Sequence, residues 1–191
     1  MAEKRLVELK ARCADLEAVR KRLSPVARLE AVLVQRDTYF TVPRGRLKLR
    51  EVSDRPAQLI LYDRPDVAGV KGSRIHLAEV PDGEALRTLL DVAFGVRVRV
   101  VKRREIWRWD SVQVHLDTVE GLGTFVEFEL AVEDDAASAR GEQHLQHLLI
   151  QLGLGCDALL AGSYADLVGE FDPRQQPLPQ QDHVSDDDHR R

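Results

Sequence analysis

The chain has 191 residues and a net charge of −4, from 28 Lys and Arg against 32 Asp and Glu. With 43% hydrophobic and 31% charged residues it can build one globular core, which excludes wholesale disorder. No apolar run approaches the roughly 20 residues of a membrane span. The first ten residues hold no apolar signal region, and the negative total argues against a generic nucleic-acid binder. The expectation is a soluble, cytoplasmic protein with no nucleic-acid or membrane partner.

Most of the body alternates with a period of two, the mark of strands. Residues 5–13 set Val7, Leu9, Ala11 and Cys13 against Leu6, Glu8, Lys10 and Arg12. A helix is expected over 15–23, stopped by Ser24 and Pro25. Strands at 32–42 and 46–52 are joined by the turn Pro43-Arg44-Gly45, and the second opposes Arg46, Lys48 and Arg50 to Leu47 and Leu49. Residues 57–64 place Leu59 and Leu61 on one face and Ile60, Tyr62 and Arg64 on the other; a loop at 66–72 and a strand at 74–80 follow.

Residues 82–94 read as an amphipathic helix with the stripe Ala85, Leu86, Leu89, Leu90 and Ala93, stopped by Gly95. The long β-rich stretch 96–109 ends in Trp107 and Trp109, expected to pack under a helix. Residues 112–119 turn Gln113, His115 and Asp117 away from Val112, Val114 and Leu116. After the turn Gly121-Leu122-Gly123, residues 124–131 set Val126, Phe128 and Leu130 against Phe125, Glu127 and Glu129. Helices at 136–152 and 163–168 close the body, the second with Ser163 as N-cap.

Residues 172–191 hold two large apolar side chains, Leu178 and Val184, and three prolines, so they are expected to be a disordered tail beyond a single domain at 1–171. The tail carries five acids and three Arg, and the body therefore keeps 25 cations against 27 anions. The tail does not conceal a basic domain. Cys13 and Cys156 match no disulfide or zinc pattern and are expected to be reduced thiols. His144 and His147 have no third ligand nearby in sequence and read as a solvated helix face.

About eight antiparallel strands with few helices result, and their polar faces carry seven cations and four carboxylates. The cations are Lys10, Arg12, Lys48, Arg50, Arg64, Lys102 and Arg104, and the acids are Glu8, Asp117, Glu127 and Glu129. Alternation alone suits two architectures. One is an antiparallel sheet whose charged face meets water. The other is a closed barrel with a charged lumen, its apolar faces outward under the helices. Like charges confined in a lumen repel unless a polyanion fills the space, and a triphosphate would do so. Glu127-x-Glu129, with Glu8 and Asp117, would then hold Mg²⁺ or Mn²⁺ beside it.

Several stretches in order separate the two: Val7-Glu8-Leu9-Lys10-Ala11-Arg12, Gln35-Arg36-Asp37-Thr38-Tyr39-Phe40, Gly45-Arg46-Leu47-Lys48-Leu49-Arg50-Glu51, Lys102-Arg103-Arg104, His115-Leu116-Asp117-Thr118-Val119-Glu120-Gly121-Leu122-Gly123 and Phe125-Val126-Glu127-Phe128-Glu129. With the late Ser163-Tyr164-x-Asp166-Leu167, this set resembles the CYTH family of class IV adenylate cyclases, thiamine triphosphatases and related triphosphate tunnel metalloenzymes. The resemblance spans roughly residues 5–170. It implies a mainly β fold, an eight-stranded antiparallel closed barrel forming a tunnel with a few covering helices.

By position it implies that Lys10, Arg12, Lys48, Arg50, Arg64, Lys102 and Arg104 bind substrate phosphates. It implies that Glu8, Glu127 and Glu129 hold Mg²⁺ or Mn²⁺, and that Lys10 and Asp117 act at the reacting group. The implied activity is class IV adenylate cyclase-like, ATP to cyclic AMP plus pyrophosphate, in a monomer or homodimer. The alternatives are hydrolysis of thiamine triphosphate, inorganic triphosphate or a nucleoside triphosphate, or a module that binds phosphates without turnover. The last follows from one departure: the first Glu of the family's Glu-x-Glu-x-Lys signature falls at Leu6. Glu3 lies five residues before Glu8, on the opposite strand face.

Overall fold

The computed structural model describes residues 2–63, 69–155 and 158–170. Eight strands and four helices run in the order β1 (Ala2–Arg12), α1 (Leu16–Leu23), β2 (Arg28–Phe40), β3 (Arg46–Val52), β4 (Ala57–Asp63), β5 (Lys71–Val80), α2 (Gly83–Phe94), β6 (Val96–Trp109), β7 (Val112–Val119), β8 (Gly123–Ala131), α3 (Asp135–Gln151) and α4 (Tyr164–Glu170). The sheet closes in the order β1-β5-β4-β3-β2-β6-β7-β8, every neighbour antiparallel. Closure lies at β1, whose Leu6 stands opposite Ser73 of β5 on one side and Ala131 of β8 on the other. Every described strand pairs on both sides, although residues 28–34 of β2 run past β3 and are paired along β6 alone. The water-facing open sheet is thereby excluded.

The main apolar core lies outside the barrel. Val7, Leu9 and Ala11 of β1, Val112, Val114 and Leu116 of β7, and Val126 and Phe128 of β8 pack under Val19 and Leu23 of α1 and Leu145, Leu148, Leu149 and Leu152 of α3. Each such Leu or Phe, taken fully from water, stabilises the fold by roughly 1.5–3 kcal/mol. Trp107 is buried in the same cluster, and Trp109 packs against it. Cys13 is a buried thiol, and His144 and His147 lie exposed on α3.

α2 differs from its expected stripe. Leu86 and Leu90 pack on Phe40, Leu49 and Ala57, but Leu89 is 66% exposed, and Ala85 and Ala93 also face water. A single helix lying across the curved strands β2 and β3 touches them along one line, so the flanks of the stripe stay uncovered. The outer face of β2 is likewise bare at Val32 and Val34. β1 and β2 begin earlier than the alternation suggested, at Ala2 and Arg28, and a register shift between Leu29 and Ala31 hides the start of β2 from a strict period of two. The expected tail at 172–191, Cys156 and Arg64 fall outside the described residues.

α4 stands across one end of the barrel. Leu160 N–H donates to the Lys10 carbonyl at 2.9 Å, bringing the chain onto β1. Ser163 then caps the helix: its Oγ accepts from Asp166 N–H, and its own N–H and Oγ donate to the Asp166 carboxylate at 2.9 and 2.7 Å. Asp166 also binds Arg46 of β3 and Arg97 of β6, at 3.2 and 2.9 Å. Tyr164 is thereby seated among Phe125, Val119 and Val100 inside the barrel wall. No described helix is long and apolar enough to cross a membrane.

Candidate functional site

Alternation carries the polar face of each strand inward. A cavity of about 180 Å³ inside the barrel is lined by Glu8 and Lys10 of β1, Lys48 and Arg50 of β3, Lys102 and Arg104 of β6, and Glu127 and Glu129 of β8, together with Tyr39, Tyr62 and Tyr164. The β2–β3 turn that sets Lys48 and Arg50 in register depends on Gly45. Its φ is +65°, and a Cβ there would stand 2.9 Å from the Tyr62 carbonyl oxygen.

Two carboxylates that sequence reading underweighted or missed organise the cations. Asp37 received no role from the sequence, although it shares a strand face with Gln35 and Tyr39. It takes a two-pronged contact from Arg50, both bonds at 2.8 Å, and Lys48 Nζ at 3.1 Å, with Lys102 Nζ at 3.8 Å. Asp117 is fully buried and takes the same fork from Arg104 at 2.7 and 2.6 Å, with the Tyr164 hydroxyl donating to it at 2.8 Å. Arg104 reaches Glu127 as well, at 2.5 Å, and Lys10 Nζ lies 3.6 Å from Glu127. Lys10 also stands 3.8 Å over the centre of the Tyr164 ring.

These pairings revise the expected excess of cations. Arg12 stands apart: it is exposed, donates to the Leu122 carbonyl and lies over Phe125, because the Phe125–Tyr164 plug ends the cavity short of it. Arg64 lies outside the described residues. Within the described barrel, Lys4, Lys10, Lys48, Arg50, Lys102 and Arg104 face Glu8, Asp37, Asp117, Glu127 and Glu129, and Lys4 is a lining cation that received no role from the sequence. The lumen is a nearly balanced ionic network rather than a bare cationic tube.

Balance does not remove local crowding. Burial and then the neighbouring Arg104 push the Lys102 ammonium down to about 7, and burial and Arg50 push Lys48 down to about 8. Burial raises the Asp37 carboxyl, but Arg50 and Lys48 more than offset it and hold it well below the usual range. Burial likewise opposes ionisation of Glu127, and Lys10 and Arg104 overcome it. Glu129 goes the other way: burial and then Glu127 raise it to about 7, with Glu8 adding to the repulsion. Like charges thus crowd locally, cations around Lys48 and Lys102 and carboxylates around Glu129.

The crowded carboxylates suit a divalent cation. Glu8 is paired in register with Glu129, and Lys10 with Glu127, so Glu8 and Glu129 are cross-strand neighbours on β1 and β8, although Glu8 is not part of the close donor group on β7 and β8. Ligand atoms of His115, Glu127 and Glu129 lie within 4.8 Å of one another. Oxygen donors of this kind are what Mg²⁺ and Mn²⁺ take. Leu6 lines the same cavity next to Glu8, where the resemblance implied a further acid. It also borders a wider groove of about 810 Å³ along β1, β4 and β5, lined by Arg5, Arg44 and Arg74. His115 was placed on the inward face by alternation but given no role. The signal was the shared face with Asp117.

A closed antiparallel barrel with an ionic interior, capped by its last helix, defines a tunnel protein. A CYTH domain family profile matches residues 4–164, and the chain belongs to the CYTH family. It is 28% identical over 170 residues to adenylate cyclase CyaB of Aeromonas hydrophila, covering 84% of this chain and 87% of that protein. A structure of a Pyrococcus horikoshii protein superposes with a TM-score of 0.77 at 23% identity, covering 85% of this chain and 98% of the other. The Hippeastrum protein HpAC1, which has a dominant triphosphatase activity, superposes with a TM-score of 0.63 at 18% identity over 91% of this chain and 98% of its own.

Proposed function

We propose that the protein is a divalent-metal-dependent enzyme that binds a triphosphate inside the barrel and converts ATP to cyclic AMP and pyrophosphate. One observation carries this reading: Lys48, Arg50, Lys102 and Arg104 converge on one cavity that Glu8, Glu127 and Glu129 also line. The similarity to CyaB over most of both chains supports cyclisation as the chemistry.

Arg50 and Arg104 offer planar forks, and Lys48 and Lys102 offer point charges, for the phosphate oxygens. Glu8, Glu127 and Glu129 would hold Mg²⁺ or Mn²⁺, which neutralises charge developing on the transferring phosphorus. Cyclisation forms a bond from the ribose 3′ oxygen to the α-phosphorus and breaks the bond to the pyrophosphate, while the hydroxyl proton passes to water or to the departing pyrophosphate. Lys10, beside Glu127 and over Tyr164, stands where an ammonium can bond a phosphate oxygen. Asp117 positions Arg104 rather than meeting substrate, since its oxygens are taken by Arg104 and Tyr164.

A panel of ATP, GTP, thiamine triphosphate and inorganic triphosphate, each with Mg²⁺ and with Mn²⁺, tests the reading. Cyclic AMP plus pyrophosphate is the expected product pair. Diphosphate plus phosphate would instead assign a hydrolase, the chemistry of HpAC1. Leu6 favours a second reading, a phosphate-binding module without turnover, because it removes one acid from the metal side. Leu6→Glu discriminates: an inert wild type that gains turnover on this change is a binder, whereas a wild type that already turns over ATP is an enzyme.

Triphosphate binding carries a proton signature. At pH 8 Lys102, near 7, is mostly neutral and Lys48, near 8, is half so. A bound polyanion favours both charged forms and raises both values, so the complex takes up protons and affinity falls as pH rises above 7. Calorimetry with inorganic triphosphate at pH 8, in buffers of different ionisation enthalpy, should read uptake of about one proton. A heat independent of buffer would rule the lysines out of the phosphate site.

A further inference from the structure

His115 is placed at the metal side of the cavity but has no part in the phosphate or carboxylate roles above. Its side chain is 3% exposed. Its Nδ1 has no hydrogen-bond partner, and the Glu129 oxygen facing it, 3.6 Å away, is too far for one. A buried ring nitrogen without a partner is costly unless something else satisfies it. β7 delivers it there because His115 stands in register opposite Glu127, on the strand next to β8. The three potential donors His115, Glu127 and Glu129 lie within 4.8 Å of one another. Two ligands about 2.1 Å from one ion stand at most roughly 4.2 Å apart, so a small side-chain rotation gathers them.

We propose that His115 Nδ1 is a nitrogen ligand to the divalent cation held by Glu127 and Glu129, which makes the site selective for Mn²⁺, Co²⁺ or Zn²⁺ over Mg²⁺. The inference rests on the metal-site reading above and specifies it. Imidazole suits first-row transition ions, whereas Mg²⁺ takes oxygen ligands and keeps its waters. A site of Glu8, Glu127 and Glu129 alone would show no such preference beyond the general affinity order. Two cations compete for Glu127, Lys10 from β1 on one side and Arg104 from β6 on the same side as His115. A neutral nitrogen therefore adds donor strength to the site without adding a further negative charge beside them.

The test is metal binding to the intact protein, with no substrate present. Mn²⁺ is titrated by electron paramagnetic resonance, and the bound ion is examined by pulsed methods in unlabelled and [¹⁵N]histidine-labelled protein. The expected result is saturable binding with a nitrogen coupling that changes isotope with the label and disappears in His115→Gln. That control excludes the other five histidines, His76, His144, His147, His183 and His189, which also take the label. His115→Gln should weaken Co²⁺ binding roughly 10–100-fold and leave Mg²⁺ binding little changed. Mn²⁺ binding without nitrogen coupling in the wild type overturns His115 as a ligand and leaves the carboxylate site standing. Coupling that survives in His115→Gln, or equal weakening of Co²⁺ and Mg²⁺, also overturns the proposal. No bound Mn²⁺ at all overturns the metal-site reading with it.

Discussion

Replacing Arg104 with Met is expected to lower the free energy of unfolding by about 3–5 kcal/mol. Arg104 is the sole guanidinium among the described residues that bonds Asp117, and it holds Glu127 as well. Both acids are buried, Asp117 completely. Without the fork they would keep their desolvation penalty and lose the partner that offsets it; Lys102, 4.0 Å from Asp117, compensates only in part. Urea unfolding at pH 7 measures the loss. Asp117→Asn in the same chain should recover part of it, because it removes the stranded charge. Arg104→Lys keeps the charge but not the two-pronged geometry, so it should fall between wild type and Met. A loss below about 1 kcal/mol for Arg104→Met would place the pair among weak surface bridges and undo this account of the lumen.

Glu127→Gln should abolish turnover while sparing the fold. The change is isosteric and leaves Arg104 bonded to Asp117. On the proposed function a bound metal would contribute several kcal/mol of charge stabilisation, and losing roughly 4 of them would lower kcat about 10³-fold. Binding of inorganic triphosphate without metal should move the opposite way. Glu127 competes for Lys10 and Arg104, so its neutral replacement releases both toward the ligand. Steady-state rates with Mn²⁺ and metal-free calorimetry give the two halves. Wild-type rates in the variant would take Glu127 out of the metal site. Weaker triphosphate binding would show that the carboxylate organises the cations rather than competing with them.

The strands were legible because one residue in two is apolar and the other polar, and the barrel keeps that division on nearly every strand. Closure was not legible from the same pattern. A strand in an open sheet with a wet face alternates identically, and the ordered stretches resembling the CYTH family made the choice. Lys48, Arg50, Lys102 and Arg104 reached the cavity as expected because each is central in its strand. Arg12 keeps the right strand face but sits past the plug, since a face fixes direction and not depth along the axis. Asp37 escaped notice because an acid amid cations reads as a local surface pair, and its contacts with Arg50 and Lys102 come from two different strands. Tyr164 could not be foreseen as part of the lumen, because it enters from a helix beyond the last strand.

The last helix also settles how traffic moves. Held by Arg46 and Arg97 and wedged by Tyr164, it stands as a floor across one end of the tunnel among the described residues. On the proposed function a ligand that entered past Leu6 would leave the same way, the portion seated nearest Tyr164 after the portion nearest Leu6. Two products of one reaction would therefore depart in a fixed order, and the deeper one would block the next substrate until it had gone.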